Sequence, residues 1–242
     1  GYIKRNPVSL YRSQKRGGKG KTGMETKEED FVEHLFVAST HDTILFFTDA
    51  GRVYWLKVYQ LPEAGRHAKG KALVNLLQVQ SGEMVSAVLP VRNFEEDSFF
   101  LMATRHGVMK KTALQEYSNP RSGGIIAITL DEGDRLISAC LTSGEQDILL
   151  STHEGTSIRF SEAEVRSIGR TGRGVKGIDL EPNDYVVAME VVRDGSTILT
   201  VTEGGFGKRT SLEEYRRQSR GGKGIITIKT TDKNGKAVGV LQ

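Results

Sequence analysis

The sequence predicts an all-β protein made of radially arranged blades of antiparallel sheet. Three observations predict it: a turn motif that recurs about every 50 residues, a short apolar run before each turn, and no helical segment between the runs. The turns Thr48-Asp49-Ala50-Gly51, Thr104-Arg105-His106-Gly107, Thr152-His153-Glu154-Gly155 and Thr202-Glu203-Gly204-Gly205 share the pattern Thr-x-x-Gly. Gly1, followed by Tyr2-Ile3-Lys4-Arg5, reads as the last residue of a fifth such turn, so the turn glycines stand 50, 56, 48 and 50 residues apart. Five repeats follow, near 1–40, 41–96, 97–144, 145–193 and 194–242, within a single domain.

Within the repeats, Ile44-Leu45-Phe46-Phe47, Phe99-Phe100-Leu101-Met102, Ile148-Leu149-Leu150 and Ile198-Leu199-Thr200-Val201 each run into a turn, as the first strand of a hairpin does. Val53-Tyr54-Trp55-Leu56-Lys57-Val58 and Ile125-Ile126-Ala127-Ile128-Thr129-Leu130 are rich in β-branched or aromatic residues and too short for stable helices, so both read as strands. Brief helical turns are expected at Ser161-Glu162-Ala163-Glu164 and Ser211-Leu212-Glu213-Glu214-Tyr215, where a serine can cap the start and acids favour the first turn. A doubly wound α/β fold is excluded, because no helix separates the strands.

Two further landmarks keep step with the turns. The pairs Gly17-Gly18, Gly123-Gly124 and Gly221-Gly222 each begin 16 residues after their turn glycine, and a tyrosine, Tyr11, Tyr117 or Tyr215, precedes each by six residues. Tyr59 and Gly65 keep the six-residue spacing in the second repeat. An acidic turn follows the glycine loop in Asp131-Glu132-Gly133-Asp134 and Glu181-Pro182-Asn183-Asp184.

A formal net charge of +4 conceals a strong segregation. Segments 11–23, 65–71, 119–124, 165–177 and 215–224 hold 17 of the 34 Lys and Arg and no Asp or Glu. The rest of the chain carries the other 17 basic residues against all 30 acidic ones. An acidic body with its positive charge gathered into glycine loops is the footprint of a polyanion-binding surface. The alternative reading of each loop is a tight turn between strands with incidental surface lysines.

Other chemistry is poorly supported. A single cysteine, Cys140, rules out an internal disulfide and points to a reducing compartment. Its apolar setting, Leu136 to Leu141, predicts a buried structural thiol. No stretch approaches the roughly 20 apolar residues of a membrane-spanning helix, and no signal-peptide core is present, so a soluble protein without a membrane partner is expected. Gly172-Arg173-Gly174-Val175-Lys176-Gly177 matches G-x-G-x-x-G but lacks the helix a dinucleotide site needs. Gly65 to Gly70-Lys71 fits the phosphate-loop spacing except that Ala72 stands where a hydroxyl must bind magnesium. Gly20-Lys21-Thr22 ends correctly but has Lys15 in place of the first glycine. The five histidines show no metal-ligand spacing, with His67 a minor candidate for phosphate contact, and no serine sits in a G-x-S-x-G elbow. No cofactor and no catalytic constellation are expected.

Tyr11-Arg12-Ser13-Gln14-Lys15-Arg16-Gly17-Gly18-Lys19-Gly20 and Tyr215-Arg216-Arg217-Gln218-Ser219-Arg220-Gly221-Gly222-Lys223-Gly224 share Tyr-x-x-Gln-x-Arg-Gly-Gly-Lys-Gly at an offset of 204 residues. Glycines let backbone N–H groups approach a phosphate, while Arg and Lys neutralise its charge and release counterions. Gln14-Lys15-Arg16-Gly17-Gly18-Lys19-Gly20 closely resembles the signature box QRRGGKG of the DNA gyrase A C-terminal domain, with Lys15 the one conservative departure. The resemblance runs along the chain through Thr40-His41-Asp42, Arg52-Val53-Tyr54, Lys57 to Ala64 and Gly207-Lys208-Arg209-Thr210.

The resemblance implies a β-pinwheel, a propeller-like disc of four-stranded blades that exchange strands, with double-stranded DNA bound around a basic rim. It implies a non-catalytic part of an ATP-dependent type II topoisomerase, DNA gyrase, since the nucleophilic tyrosine lies in another domain of that family. The partners implied are the remainder of gyrase A together with gyrase B in a heterotetramer, in the bacterial cytoplasm at the nucleoid, and the isolated domain is expected to be monomeric. The family domain has six blades, so with Gly1 at a turn and Gln242 partway through the fifth repeat, a first strand and a sixth blade are expected to be absent.

The DNA-contacting residues expected are the box with its neighbour, Gln14, Lys15, Arg16, Gly17, Gly18, Lys19, Gly20 and Lys21. From the middle loops come Arg66, Lys69, Lys71, Arg121, Arg170, Arg173 and Lys176. From the near copy come Arg217, Arg220, Gly221, Gly222 and Lys223, which extend the path of the DNA. Contacts of this kind position a duplex without reading its bases, and bending favours deformable sequences only indirectly. About ten such phosphates imply a log affinity against log salt slope of roughly −9. Three other readings stand beside this one: the corresponding domain of topoisomerase IV, in which the box is degraded; a propeller scaffold for an acidic protein; and a propeller enzyme, for which no convergent polar pocket is legible.

Overall fold

The computed structural model describes residues 1–11, 16, 20, 22–24, 26 and 31–242. The described strands are β1 (Tyr2–Ile3), β2 (Thr43–Thr48), β3 (Arg52–Lys57), β4 (Lys71–Ala72), β5 (Val85–Val91), β6 (Phe99–Thr104), β7 (Val108–Ala113), β8 (Ile125–Ile126), β9 (Leu136–Thr142), β10 (Asp147–Thr152), β11 (Thr156–Ser161), β12 (Val175–Lys176), β13 (Val186–Val192), β14 (Thr197–Thr202), β15 (Gly207–Ser211), β16 (Ile225–Ile226) and β17 (Ala237–Leu241). They form three four-stranded sheets, β5-β2-β3-β8, β12-β7-β6-β9 and β13-β10-β11-β16, a three-stranded sheet β15-β14-β17 and the pair β1-β4. Every strand pairing in them is antiparallel. The all-β blades expected from the sequence are thus present.

A repeat along the chain is not a blade in space. Each repeat supplies a hairpin and an inner strand to its own sheet, but its short glycine-loop strand crosses to the outer edge of the preceding sheet. β8 pairs with β3, β12 with β7 and β16 with β11. The inner strands pack in succession, β5 on β9, β9 on β13 and β13 on β17.

The apolar runs of β2, β6 and β10 are buried on both faces because their sheets lie between two other layers. Leu45 and Phe47 face one core with Phe100, Met102 and Tyr117, whereas Ile44 and Phe46 face another with Tyr54 and Leu56. Leu101 and Ala103 turn the other way, toward Ile148, Leu150 and Phe160. Period-2 side-chain alternation therefore sends successive residues into different cores, and a continuous apolar run results. β14 is the contrast: Ile198 is fully buried while Leu199 stays 38% exposed. Of the landmark tyrosines, Tyr117 and Tyr215 are buried core residues, Tyr117 edge-on to Phe100 at 5.0 Å, whereas Tyr11 and Tyr59 are exposed.

Two expectations need correction, the length of one strand and the burial of Cys140. The run Ile125 to Leu130 is a strand only over Ile125–Ile126. From there the backbone leaves the sheet, and the N–H groups of Ala127 and Ile128 both donate to Gly51 O, at 2.8 and 3.2 Å. Gly51 has φ +74°, and a Cβ there would lie 2.6 Å from Ile128 O, so the turn glycine admits the crossing chain. The expected helical turns are present, as 3-10 turns at Glu162–Glu164 and Leu212–Glu214; Ser161 Oγ accepts from Ala163 N–H as a cap, and Ser211 makes no side-chain cap bond. Cys140 is half-buried by its surface and packs against the core of Ile148, Leu150 and Phe160. Burial, then Glu162 and Glu190, pushes its thiol up to about 12, which keeps it protonated and poorly nucleophilic.

Candidate nucleic-acid interface

Each glycine loop after the first is fastened onto the hairpin of the preceding repeat. Isolated parallel bridges join Arg5 to Glu63, Lys111 to Ser167 and Arg159 to Arg217, and the N–H groups of Ala64, Ile168 and Gln218 donate to Arg5 O, Lys111 O and Arg159 O. Side chains four residues past the turn glycines reinforce the join. Arg5 Nε donates to Leu61 O at 3.0 Å, Trp55 Nε1 to Tyr117 O at 3.1 Å, Lys111 Nζ to Glu162 O at 2.9 Å and Arg159 Nη1 to Tyr215 O at 3.4 Å. Cations beneath the loops hold their carbonyls: Lys4 Nζ on Gly65 O and Arg66 O, Arg52 Nη2 on Gly123 O, and Lys110 Nζ on Ala127 O and Arg170 O. Consecutive loops therefore occupy equivalent places on consecutive hairpins.

The loop glycines answer first to this packing. Gly224 has φ +79°, and a Cβ on it would lie 2.4 Å from Ser157 O of the neighbouring hairpin. The carbonyl of Gly222 accepts from Asp179 N–H, and a Cβ there meets only ordinary contacts at 3.5 Å and beyond. Gly224→Ala is expected to cost about 2 kcal/mol or more from left-handed strain and the clash, a fall of roughly 5 °C in melting temperature. Gly222→Ala should melt within a degree or two of the parent; equal losses in both would refute the assignment.

The expected contact residues divide into three groups. Gln14, Lys15, Gly17, Gly18, Lys19 and Lys21 lie outside the described residues, while Arg16 and Gly20 are exposed. Lys69, Lys71 and Arg121 are exposed and Arg66 half-buried, and the side chains of these four have no hydrogen bond or ion pair among the described residues. The remaining cations face the chain itself. Arg170 Nη1 donates to Ile126 O at 2.7 Å, Arg173 pairs with Asp131, Lys176 with Asp179 at 2.6 Å, and Lys223 with Glu181 at 2.8 Å. Arg217 pairs with Asp147, which also holds Arg159, and Arg220 donates to the carbonyls of Glu164 and Lys176. Gly221 N–H donates to Gly177 O.

Two of these pairs are copies of one device. Arg173 and Lys223 are 50 residues apart, as are Asp131 and Glu181, so the acidic turn of one repeat neutralises the basic loop of the next. The Arg173 hydrogen bond holds the Asp131 carboxyl below its ordinary range, and the Lys176 hydrogen bond does the same to Asp179. At Asp147, burial pushes upward but the hydrogen bonds from Arg217 and Arg159 outweigh it and leave the carboxyl lowered. The Arg173, Lys176 and Lys223 pairs are exposed and weak in water, so a phosphate can take the carboxylate's place there, whereas Asp147 is buried. Arg166 and Arg216 belong to the basic loops by sequence but are not singled out by it. Both are exposed and free of such pairing among the described residues, and both sit one residue before a bridge to the preceding hairpin. Their own 50-residue offset was the available signal.

Residues 1–39, 42–92, 98–140, 146–193 and 196–242 match the family described as DNA gyrase C-terminal domain, beta-propeller. The chain belongs to this family. It is similar to the A subunit of DNA gyrase from Salmonella typhimurium, 51% identical over the entire chain, and from Escherichia coli K12, 50% identical over the same length. In each case it spans 28% of the relative's length. Among solved structures it resembles the C-terminal domain of DNA topoisomerase IV, with TM-score 0.86, 27% identity, and coverage of 100% of this chain and 74% of that one. A DNA gyrase A C-terminal domain matches with TM-score 0.76 over 100% of this chain and 79% of that one; at 21% identity it bears on the fold alone. The gyrase C-terminal domain family and the exchanged outer strands together make this fold a β-pinwheel. Among the described residues no helix is long and apolar enough to cross a membrane.

Proposed function

We propose that this chain binds and wraps double-stranded DNA as the C-terminal domain of a gyrase A protein. The observation that carries the reading is that the glycine loops of the second to fifth repeats are fastened at equivalent points on consecutive hairpins; in this reading their cations form a curved row along the rim. A duplex following that row is bent. The bend lets strand passage elsewhere in the enzyme introduce negative supercoils in an ATP-dependent reaction. The partners are the remainder of gyrase A together with gyrase B in a heterotetramer, at the nucleoid in the bacterial cytoplasm. The chain's own residues supply electrostatics and shape, and bond breakage belongs to other domains.

In this reading the free cations Arg16, Arg66, Lys69, Lys71, Arg121, Arg166 and Arg216 meet phosphates directly. Arg173, Lys176 and Lys223 join them by exchanging a carboxylate for a phosphate. Incubating the chain with relaxed circular DNA, resealing with a nicking-closing enzyme and counting linking number should reveal a shift proportional to bound protein. Binding should weaken steeply with salt, by a slope of roughly −0.9 per phosphate engaged. Unchanged linking number with tight binding would reduce the chain to a basic module that does not wrap.

A further inference from the structure

A groove of about 410 Å³ opens where the glycine loops of the third and fourth repeats meet, lined by Gln115, Glu116, Asn119, Arg121, Ile125 and Arg170. We propose that this groove is a discrete seat for one backbone phosphate of the wrapped duplex, held by Arg121 and Arg170 and weakened by Glu116. The inference rests on the DNA-wrapping reading and assigns one place on the rim.

Two observations favour an anion seat in this groove. Its cations are not neutralised, whereas Arg173, Lys176, Arg217 and Lys223 all face carboxylates. Arg121 has no side-chain partner among the described residues, and Arg170 has committed a hydrogen bond only to Ile126 O, leaving most of its five N–H donors available. The lining is also pre-positioned. Arg170 is tied at both ends, its guanidinium to Ile126 O and its carbonyl to the Lys110 ammonium, so little order must be gained when an anion arrives. Gln115 and Asn119 add amide donors at the wall. Glu116 is the one acid in the lining and has no ion pair among the described residues. In an anion seat it opposes the ligand, which makes its removal a test with an unusual sign.

The test compares the 242-residue chain with R121Q, R170Q and E116Q for binding to a random-sequence duplex across a salt series, with a thermal melt of each. R121Q and R170Q are each expected to weaken binding by about ten-fold and to make the salt slope shallower by about 0.9, the loss of one phosphate. E116Q should tighten binding by about three-fold, since a like charge near the phosphate is gone. Arg121 and Glu116 are exposed and unpaired among the described residues, so these two variants keep their melting temperature and report on binding alone. Duplex binding by the parent with R121Q and E116Q both unchanged would overturn the seat while leaving the wrapping reading intact. No salt-dependent duplex binding by the parent would overturn the wrapping reading itself. Competition by polyglutamate of equal charge as strong as by tripolyphosphate would overturn the assignment to phosphate.

Discussion

Alanine at Arg16 and Lys19 together should abolish the linking-number shift while duplex binding survives within about ten-fold. Wrapping and binding draw on different margins. Bending a duplex around a protein costs on the order of several kcal/mol, which the full set of phosphate contacts must cover. Binding without bending needs only some of them. Arg16 is exposed, and Lys19 lies outside the described residues; both belong to the segment that resembles the box QRRGGKG. Each charge-assisted contact contributes about 1.5–3 kcal/mol, so losing two removes a sum comparable to the bending cost. Topoisomer gels and filter binding on the same samples make the comparison. Equal loss of both activities would show that the box is merely two more cations on the rim.

Lys110→Met should remove a large part of the pH dependence of stability above pH 7. Burial first, and then the Arg170 charge, lowers the Lys110 ammonium to about 7, against an ordinary value of 10.5. Between those two values the unfolded chain binds one more proton than the folded chain, so this group makes stability rise with pH above about 7. Below 7 the buried charge is carried in full and its contribution is at its worst. Each pH unit in the window is worth about 1.4 kcal/mol, and methionine does not titrate. From pH 7 to pH 9 the difference between parent and K110M should therefore move by roughly 2–3 kcal/mol in favour of the parent. Denaturant melts at several pH values read it directly. Parallel pH profiles would mean that Lys110 titrates as an ordinary surface lysine.

Much of the architecture was legible because it repeats. Thr-x-x-Gly turns at nearly constant spacing reveal hairpins, and the exclusion of acids from five glycine loops reveals where positive charge gathers. What was not legible was which neighbour each group meets. The Ile125 to Leu130 run has strand composition throughout, yet it leaves the sheet after Ile126 because Gly51 of another repeat offers a carbonyl to its next two N–H groups. Arg217 and Arg220 look identical in kind to Arg16, but Asp147 and the carbonyls of Glu164 and Lys176 occupy them.

The class of fold, the number of hairpins and the gathering of positive charge into glycine loops therefore follow from the order of residues alone, because turn chemistry, side-chain period and charge composition are local properties. Which cations are free is a tertiary matter. Ion pairing acts over a few ångströms between residues some 40 to 70 positions apart, as in Arg173–Asp131 and Arg217–Asp147, and strand exchange between repeats brings those partners together.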